Sequence, residues 1–346
     1  MNTEPSNKLR EIFSLFSDKE PTGCKIIDSG HGESDFRHNV IFETASGQKL
    51  VIKLSCNSFT TRERVAAMQR LTAEYRDECA YCPRIMTDKS GIFPYVEYEG
   101  KKCLALAEEF APYRILQDRD SETDPETEDI WRAKWELTAK IANRHSDYTT
   151  LPSCYVLFEP MCDDDETDEV LEQAHEWKAQ ADRLDEKFKR QVERIWQLWW
   201  DNRKKLGKVY GSLPSCILQA DLNSTNILID DEGKFAGLID FNLGGREVFI
   251  NYIMRECFRG DFDEEIRHIQ KALSVCSKYY TFSKEEKEYA LMIYRCLKPI
   301  RKGYEIEQLI NKHADDDDFV RCLDRIENAL TKDIDFTSYM NGGKVL

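Results

Sequence analysis

Two periods of apolar repetition run along this chain, and the change from one to the other divides it. After a short amphipathic stretch at residues 7–16, NKLREIFSLF, three runs alternate: CKIIDSG, HNVIFETASG and QKLVIKLS. Each is short, carries β-branched residues and ends in a turn signal, which predicts three strands. From Thr60 the spacing becomes helical: in RERVAAMQRLTAEYRDE, Val65, Met68 and Leu71 or Thr72 fall on one face. Two more extended segments follow, PRIMTDKSG and FPYVEYEGKKCLALAEEF, with turns at KSG and EGKK.

Residues 118–129, DRDSETDPETED, are nearly all polar and acidic and read as a linker. A helix is expected from Ile130 to Arg144. After a second acidic stretch at 163–169, a long helix is expected from Val170 to Leu206, with Trp177, Leu184, Phe188, Val192, Ile195, Trp196 and Trp199 as its apolar residues. The remainder reads as helical to about residue 332, interrupted by one hairpin. A β-rich first third with one main helix, then a helical remainder carrying a hairpin, is an α+β pattern.

The chain has 346 residues, 41% of them hydrophobic and 33% charged, with a formal net charge of -15. That length can bury two substantial cores. The acidic balance argues against nucleic acid or an anionic membrane surface as a partner, since both want a basic face. It is compatible with a cationic substrate. No run of about 18 apolar residues predicts a membrane span, and the N-terminus lacks a basic-then-apolar signal pattern; a cytoplasmic location is the expectation. The twelve cysteines form no framework and are expected to be free thiols. Cys79 and Cys82 in CAYC have no second pair at zinc-ligand spacing and read as a helix end leading into Pro83.

The chemistry concentrates in LQADLNSTNILIDDEGKFAGLIDFNLGG, residues 218–245. Carboxylates among so many apolar residues need a partner or a cation. Ile227, Leu228 and Ile229 predict a strand, residues 230–233 a turn, and Phe235 to Ile239 a return strand ending at Asp240. The hairpin brings Asn226 and Asp240 together at its open end. Two oxygen ligands there suit a hard divalent cation such as Mg²⁺, which takes one or two protein ligands plus phosphate oxygens and water. Asp221, five residues before Asn226, is placed to accept a proton from a hydroxyl. This D-x-x-x-x-N then D-F order belongs to phosphoryl-transfer catalytic loops.

The segment DLNSTNILID…GLIDF resembles the catalytic hairpin of the aminoglycoside phosphotransferase-like and choline kinase-like small-molecule kinases. The resemblance is most specific over Gln219 to Phe241 and extends weakly to the first strands and to IANRHSDY around His145. It implies a bilobed protein-kinase-like fold: a nucleotide-binding lobe at 1–107, a hinge at 108–113 and a catalytic and substrate-binding lobe at 114–346. It implies ATP or GTP with Mg²⁺ as cofactors and a hydroxylated small molecule, aminoglycoside-like or amino-alcohol-like, as phosphoryl acceptor. In LVIKL, Lys53 would hold the phosphates, with Glu63 orienting it and Glu74 as the fallback. Glu108, Glu109 and Phe110 would form the adenine-facing hinge, and SGHGESDF (29–36) would cover the phosphates. Asn226 and Asp240 would be the metal ligands, and Asp221 the catalytic base.

Two positions depart from the family pattern: Gln219 stands where a histidine usual to the family precedes the catalytic aspartate, and Asn242 where a further aspartate is frequent. Gln219 supports an alternative, a non-catalytic nucleotide-binding module of pseudokinase type. A protein kinase fits less well, because residues 241–260 leave little room for an activation loop. His145 reads as structural, the tryptophans at 196, 199 and 200 as helix core, and the acidic runs at 163–169 and 315–318 as solvated faces, with attraction of a polyamine-like substrate as the sharper reading of the runs.

Overall fold

A computed structural model of the chain describes residues 3–30, 32, 34–78, 80–116, 125–146, 157–160, 166–257, 262–300 and 304–342. In chain order its elements are α1 (Asn7–Phe16), β1 (Pro21–Asp28), β2 (Phe36–Thr44), β3 (Lys49–Cys56), α2 (Arg62–Asp77), β4 (Ile85–Met86), β5 (Tyr95–Tyr98), β6 (Lys101–Glu109), β7 (Arg114–Ile115) and α3 (Pro125–Ala142). Then come α4 (Glu169–Ala181), α5 (Glu186–Gly207), β8 (Ser215–Leu218), β9 (Ile227–Ile229), β10 (Phe235–Leu238), β11 (Gly245–Val248), α6 (Phe249–Glu256), α7 (Phe262–Cys276), α8 (Lys284–Leu297), α9 (Tyr304–Asn311) and α10 (Asp316–Thr331). No helix among the described residues is long and apolar enough to cross a membrane. The nine cysteines among them are free.

The chain divides into two compact units. The first is Met1–Ile130 with Tyr148–Leu151 and Asp221–Gly244; the second is Trp131–Asp147, Pro152–Ala220 and Gly245–Leu346. The hairpin β9–β10, placed in the second lobe on sequence, groups with the first unit by its contacts: β9 pairs antiparallel with β7, and Tyr81 bridges to Gly237.

In the first unit the sheet runs β1-β2-β3-β6-β4, with β5 also paired to β6. Side chains alternate between its faces. One face carries Val40, Phe42, Ile52, Leu54, Ala105 and Ala107, packed against Leu9, Ile12 and Phe13 of α1. Ser6 caps α1 by accepting from the Leu9 N–H at 3.3 Å. The rings of Phe13 and Phe42 lie 4.8 Å apart, and full burial of such side chains contributes roughly 1.5–3 kcal/mol each. The opposite face therefore presents Val51 and Lys53 of β3 with Leu106 and Glu108 of β6.

The second unit contains most of the helices. Three expectations change there or at its edge. Helix α3 starts at Pro125, inside the stretch read as linker, because proline suits the first helical position, where no N–H is needed. Residues 118–124 of that stretch lie outside the described residues. The single long helix from Val170 to Leu206 is two, α4 and α5, broken at 182–185. The connection keeps Ala181, Leu184 and Phe188 buried at helical spacing, so periodicity alone cannot see the break. The acidic runs act partly as caps: Asp168 accepts from Leu171 N–H at 3.0 Å and forms a buried pair with Arg203, and Asp315 accepts from Asp318 N–H at 3.0 Å. Residues 163–165 of the first run lie outside the described residues.

His145 is exposed, in a left-handed turn (φ 48°), with its ring 5.5 Å from that of Tyr280, a structural setting. Trp199 is fully buried and donates to Cys296 O at 3.1 Å, while Trp196 stacks on both Trp199 and Trp200.

Candidate active site

Lys53 projects from β3, where it lies opposite Leu106 of β6. Glu108 is two residues further along β6, so it is the diagonal neighbour of Lys53 on the same face. The Lys53 ammonium lies 3.1 Å from Glu108 Oε1 and 3.2 Å from Asp240 Oδ1. Burial by itself would depress the lysine, but the charges of Asp240 and Glu108 overcome it and hold Lys53 above its ordinary range. Burial raises the Glu108 carboxyl against the opposing pull of Lys53.

Glu63, expected to orient Lys53, is exposed and is not its partner. The buried stripe of α2 begins instead at Arg64 and continues through Met68, Leu71 and Tyr75, which turns Glu63 about 100° away from it. Among the described residues the ion pairs of Lys53 are with Glu108 and Asp240, so Glu74 is not its partner either. Glu108 and Glu109, expected in a hinge, belong to β6: their register partners are Val51 and Leu50 of β3, and the Glu109 N–H donates to Arg84 O at 3.3 Å. Phe110 follows the strand and is 39% exposed, with the Lys49 ammonium 4.9 Å from its ring centre.

The hairpin forms the second half of the site. The Ile239 N–H donates to Asn226 O at 2.9 Å, which sets Asn226 beside Asp240 at the open end. Asn226 Nδ2 donates to Asp221 Oδ2 at 2.7 Å and to the Asp221 carbonyl at 3.1 Å. Asn223 Nδ2 donates to Asp221 Oδ1 at 2.6 Å. The amide nitrogen of Asn226 is thereby spent on Asp221, while its Oδ1 accepts from the Thr225 hydroxyl at 3.4 Å and keeps a lone pair for another ligand. Burial, then the charge of Asp240, raises the Asp221 carboxyl above the ordinary aspartate range despite both amides.

Local backbone explains the placement. Ala220 and Asp240 both have positive φ, 67° and 58°. The left-handed region is costly for a residue with a Cβ, though aspartate tolerates it better than most, and such outliers gather at functional sites. Phe241 is buried and meets Tyr75 of α2 edge-on at 5.1 Å. Upstream, Tyr81 N–H donates to Ala236 O at 3.0 Å and Tyr81 O accepts from Leu238 N–H at 2.9 Å. This close approach requires glycine at 237, where a Cβ would lie 1.9 Å from Tyr81 O. Gln219, in place of the expected histidine, is fully buried at the end of β8.

The donor set suits a hard cation in contact with phosphate. It offers one carboxylate, Asp240, and the Asn226 amide oxygen; among the described residues no cluster of three or more His, Cys, Asp or Glu could hold a metal ion. Few protein ligands, all oxygen, match Mg²⁺ sharing its shell with phosphates and water. Among the described residues, the buried Oδ1 of Asn242 has no hydrogen-bond partner, a further acceptor on the cleft that Lys53 and Asp240 also line.

Sequence reasoning missed three features: Glu108 as the lysine's partner, the Tyr81–Gly237 contact, and Arg64 of α2 and Arg37 of β2, which line the cleft with Lys53. Strand alternation in LALAEE gives the face on which Glu108 lies but not its neighbour; all three rest on contacts remote in sequence.

Residues 30–246 match the model of a phosphotransferase enzyme family, APH. No curated protein sequence matches. Among solved structures, a microcompartment-associated aminopropanol kinase is similar at TM-score 0.54 and 11% identity, over 93% of this chain and 94% of that one. Spectinomycin phosphotransferase in complex with ADP and spectinomycin is similar at TM-score 0.52 and 12% identity, over 97% of each chain. Amicoumacin kinase in complex with AMP-PNP, Ca²⁺ and Ami is similar at TM-score 0.50 and 12% identity, over 95% of each. These likenesses are of α+β, protein-kinase-like fold. With a family match over residues 30–246, the chain belongs to the APH phosphotransferase enzyme family and is a small-molecule kinase.

Proposed function

We propose that this kinase uses ATP and a divalent cation, Mg²⁺ by the chemistry of its donors, to phosphorylate a hydroxyl of a small, hydroxylated substrate. The observation that carries this reading is the convergence of Lys53 on Asp240 at 3.2 Å, beside a hairpin mouth where Asn226 holds Asp221 at 2.7 Å. Lys53, steadied by Glu108, binds the phosphate chain. Phe110 and the residues after it offer backbone groups to the base. Asn226 and Asp240 would hold the cation, which when bound neutralises charge on the transferring phosphoryl group. Asp221 orients the acceptor hydroxyl and takes its proton as the γ-phosphoryl transfers. A carboxylate raised by burial and by a neighbouring charge is a better base than a free one. The net charge of -15 favours a cationic acceptor such as an amino alcohol or aminoglycoside. The related kinases whose structures hold ADP, or AMP-PNP with Ca²⁺, support the nucleotide and the cation.

The test is an ATP-consumption screen over hydroxylated amines, sugars and antibiotics, with phosphorylated product identified by mass. The reading stands if one acceptor is phosphorylated and Asp240→Asn raises the Kd for ATP with Mg²⁺ but not with EDTA. Nucleotide binding without turnover on any acceptor class would move the protein to the non-catalytic reading.

A further inference from the structure

Beyond Lys53, the nucleotide cleft carries a second pair of cations for which the expected roles have no place. Arg64 is 5% exposed near the start of α2, and Arg37 lies at the start of β2 with its side chain 14% exposed. Both guanidinium groups lie over the ring of Phe59, at 5.8 and 5.7 Å from its centre, in the segment between β3 and α2. Both line the same cleft as Lys53, Asp240 and Asn242. The phenyl ring gives the two planar groups a common support.

Among the described residues, Arg37 is anchored through one end of its guanidinium group. Its NH2 group donates to Asp35 Oδ2 at 2.7 Å, and Asp35 Oδ1 is held in turn by Asn57 Nδ2 at 2.9 Å. Among the described residues, the buried Nε of Arg37 has no hydrogen-bond partner. A buried donor left unmade is unfavourable, and two guanidinium groups on one ring repel each other. An anion answers both.

The charge balance points the same way. Lys53 is shared by two carboxylates, Glu108 and Asp240, so that cluster alone does not present a net positive charge to a phosphate chain. Arg37 is partly balanced by Asp35, so with Lys53 the two guanidinium groups bring three cations to the three carboxylates Glu108, Asp240 and Asp35, and guanidinium forks match phosphate oxygens in pairs.

We propose that Arg64 and Arg37, mounted on Phe59, form a cationic arm that grips the phosphate chain of the bound nucleotide alongside Lys53. The inference rests on the nucleotide reading above and adds residues that its motif does not name. It makes nucleotide affinity in this chain depend on α2 through an arginine rather than through the glutamate beside it.

Calorimetric titration of the full chain with ATP, inorganic tripolyphosphate and adenosine tests the arm. Arg64→Met and Arg37→Met should each raise the Kd for ATP and tripolyphosphate about tenfold or more, the scale of a lost charge-assisted contact. Both should leave adenosine binding within about twofold of wild type. Arg64→Lys, which keeps charge without the fork, should fall between. The proposal is overturned if both Met variants bind ATP and tripolyphosphate as wild type does, or if adenosine affinity falls in step with theirs, which would mark a structural role. A wild-type chain that binds ATP and tripolyphosphate yet phosphorylates no acceptor would sink the catalytic reading and leave the arm standing.

Discussion

Lys53 is clamped by Glu108, a diagonal neighbour on the adjoining strand of its own sheet, with 3.1 Å between ammonium and carboxylate. Both residues are set by the β3–β6 register, so the clamp does not depend on where α2 lies. Glu108→Gln should therefore lower kcat/KM and nucleotide affinity by about tenfold, the value of one charge-assisted bond. Glu63→Gln, on the exposed side of α2, should stay within about twofold of wild type, as surface changes away from such features do. Steady-state kinetics of the two variants checks this; equal losses would place Glu63 back beside the lysine.

Asp221→Asn separates stability from turnover. The folded-state carboxyl is raised, by burial first and Asp240 second. A raised acid disfavours its own ionisation in the fold, so its contribution to stability falls as pH climbs through the folded pKa. At pH 7 the ionised Asp221 thus carries a penalty that asparagine lacks. The variant should lose turnover, keep ATP affinity, and melt at the same temperature as wild type or higher at pH 7, with any gain vanishing in acid. Melting curves at two pH values and a single-turnover assay measure both effects. A variant with wild-type turnover would remove Asp221 from the role of base.

Gly237→Ala places a Cβ 1.9 Å from Tyr81 O, a backbone atom that cannot swing aside. Either β10 or the segment at Tyr81 must shift, and Asp240 follows two residues after that strand. The expected loss is about 2 kcal/mol or more of stability, in the range of severe overpacking, with a fall in activity that added Mg²⁺ does not restore. Denaturant melts and kinetics across Mg²⁺ concentrations check it.

Glu247 offers a pH test in the second unit. It is 4% exposed, accepts from the Tyr210 hydroxyl at 2.6 Å and from Val248 N–H at 2.7 Å, and burial outweighs these bonds to push its pKa up to about 7. With a folded value above the unfolded one, stability is fully present below the ordinary glutamate range and declines as pH rises to about 7. The full loss is about 3 kcal/mol, from the free energy of each pKa unit. Glu247→Gln should flatten that slope between pH 5 and 8. An unchanged slope would mean that Glu247 ionises in the fold as it does in water.

Much of the architecture was readable because it is written in local periods. Alternation marked β1, β2 and β3, and the α2 stripe, the α1 pattern and the β9–β10 hairpin were all legible from spacing and turn residues. The same logic failed where a break leaves the period intact, as between α4 and α5, and where an acidic run hides a helix start at Pro125. Asp221, Asn226 and Asp240 were legible as a group because a hairpin converts their separation along the chain into proximity.

The sequence by itself determined which groups could do the chemistry: a lysine in a β-strand, two aspartates and an asparagine around a hairpin, in a chain of this charge and pattern. Only the tertiary structure decided their partners. The glutamate for Lys53 came from a strand paired across the sheet, the space at Gly237 is filled by a tyrosine carbonyl remote in sequence, and two arginines meet on Phe59. The reason is physical. Periodicity reports which way a side chain faces its own element, while an ion pair or a close backbone approach depends on what another element brings to within about 3 Å, and no local pattern carries that information.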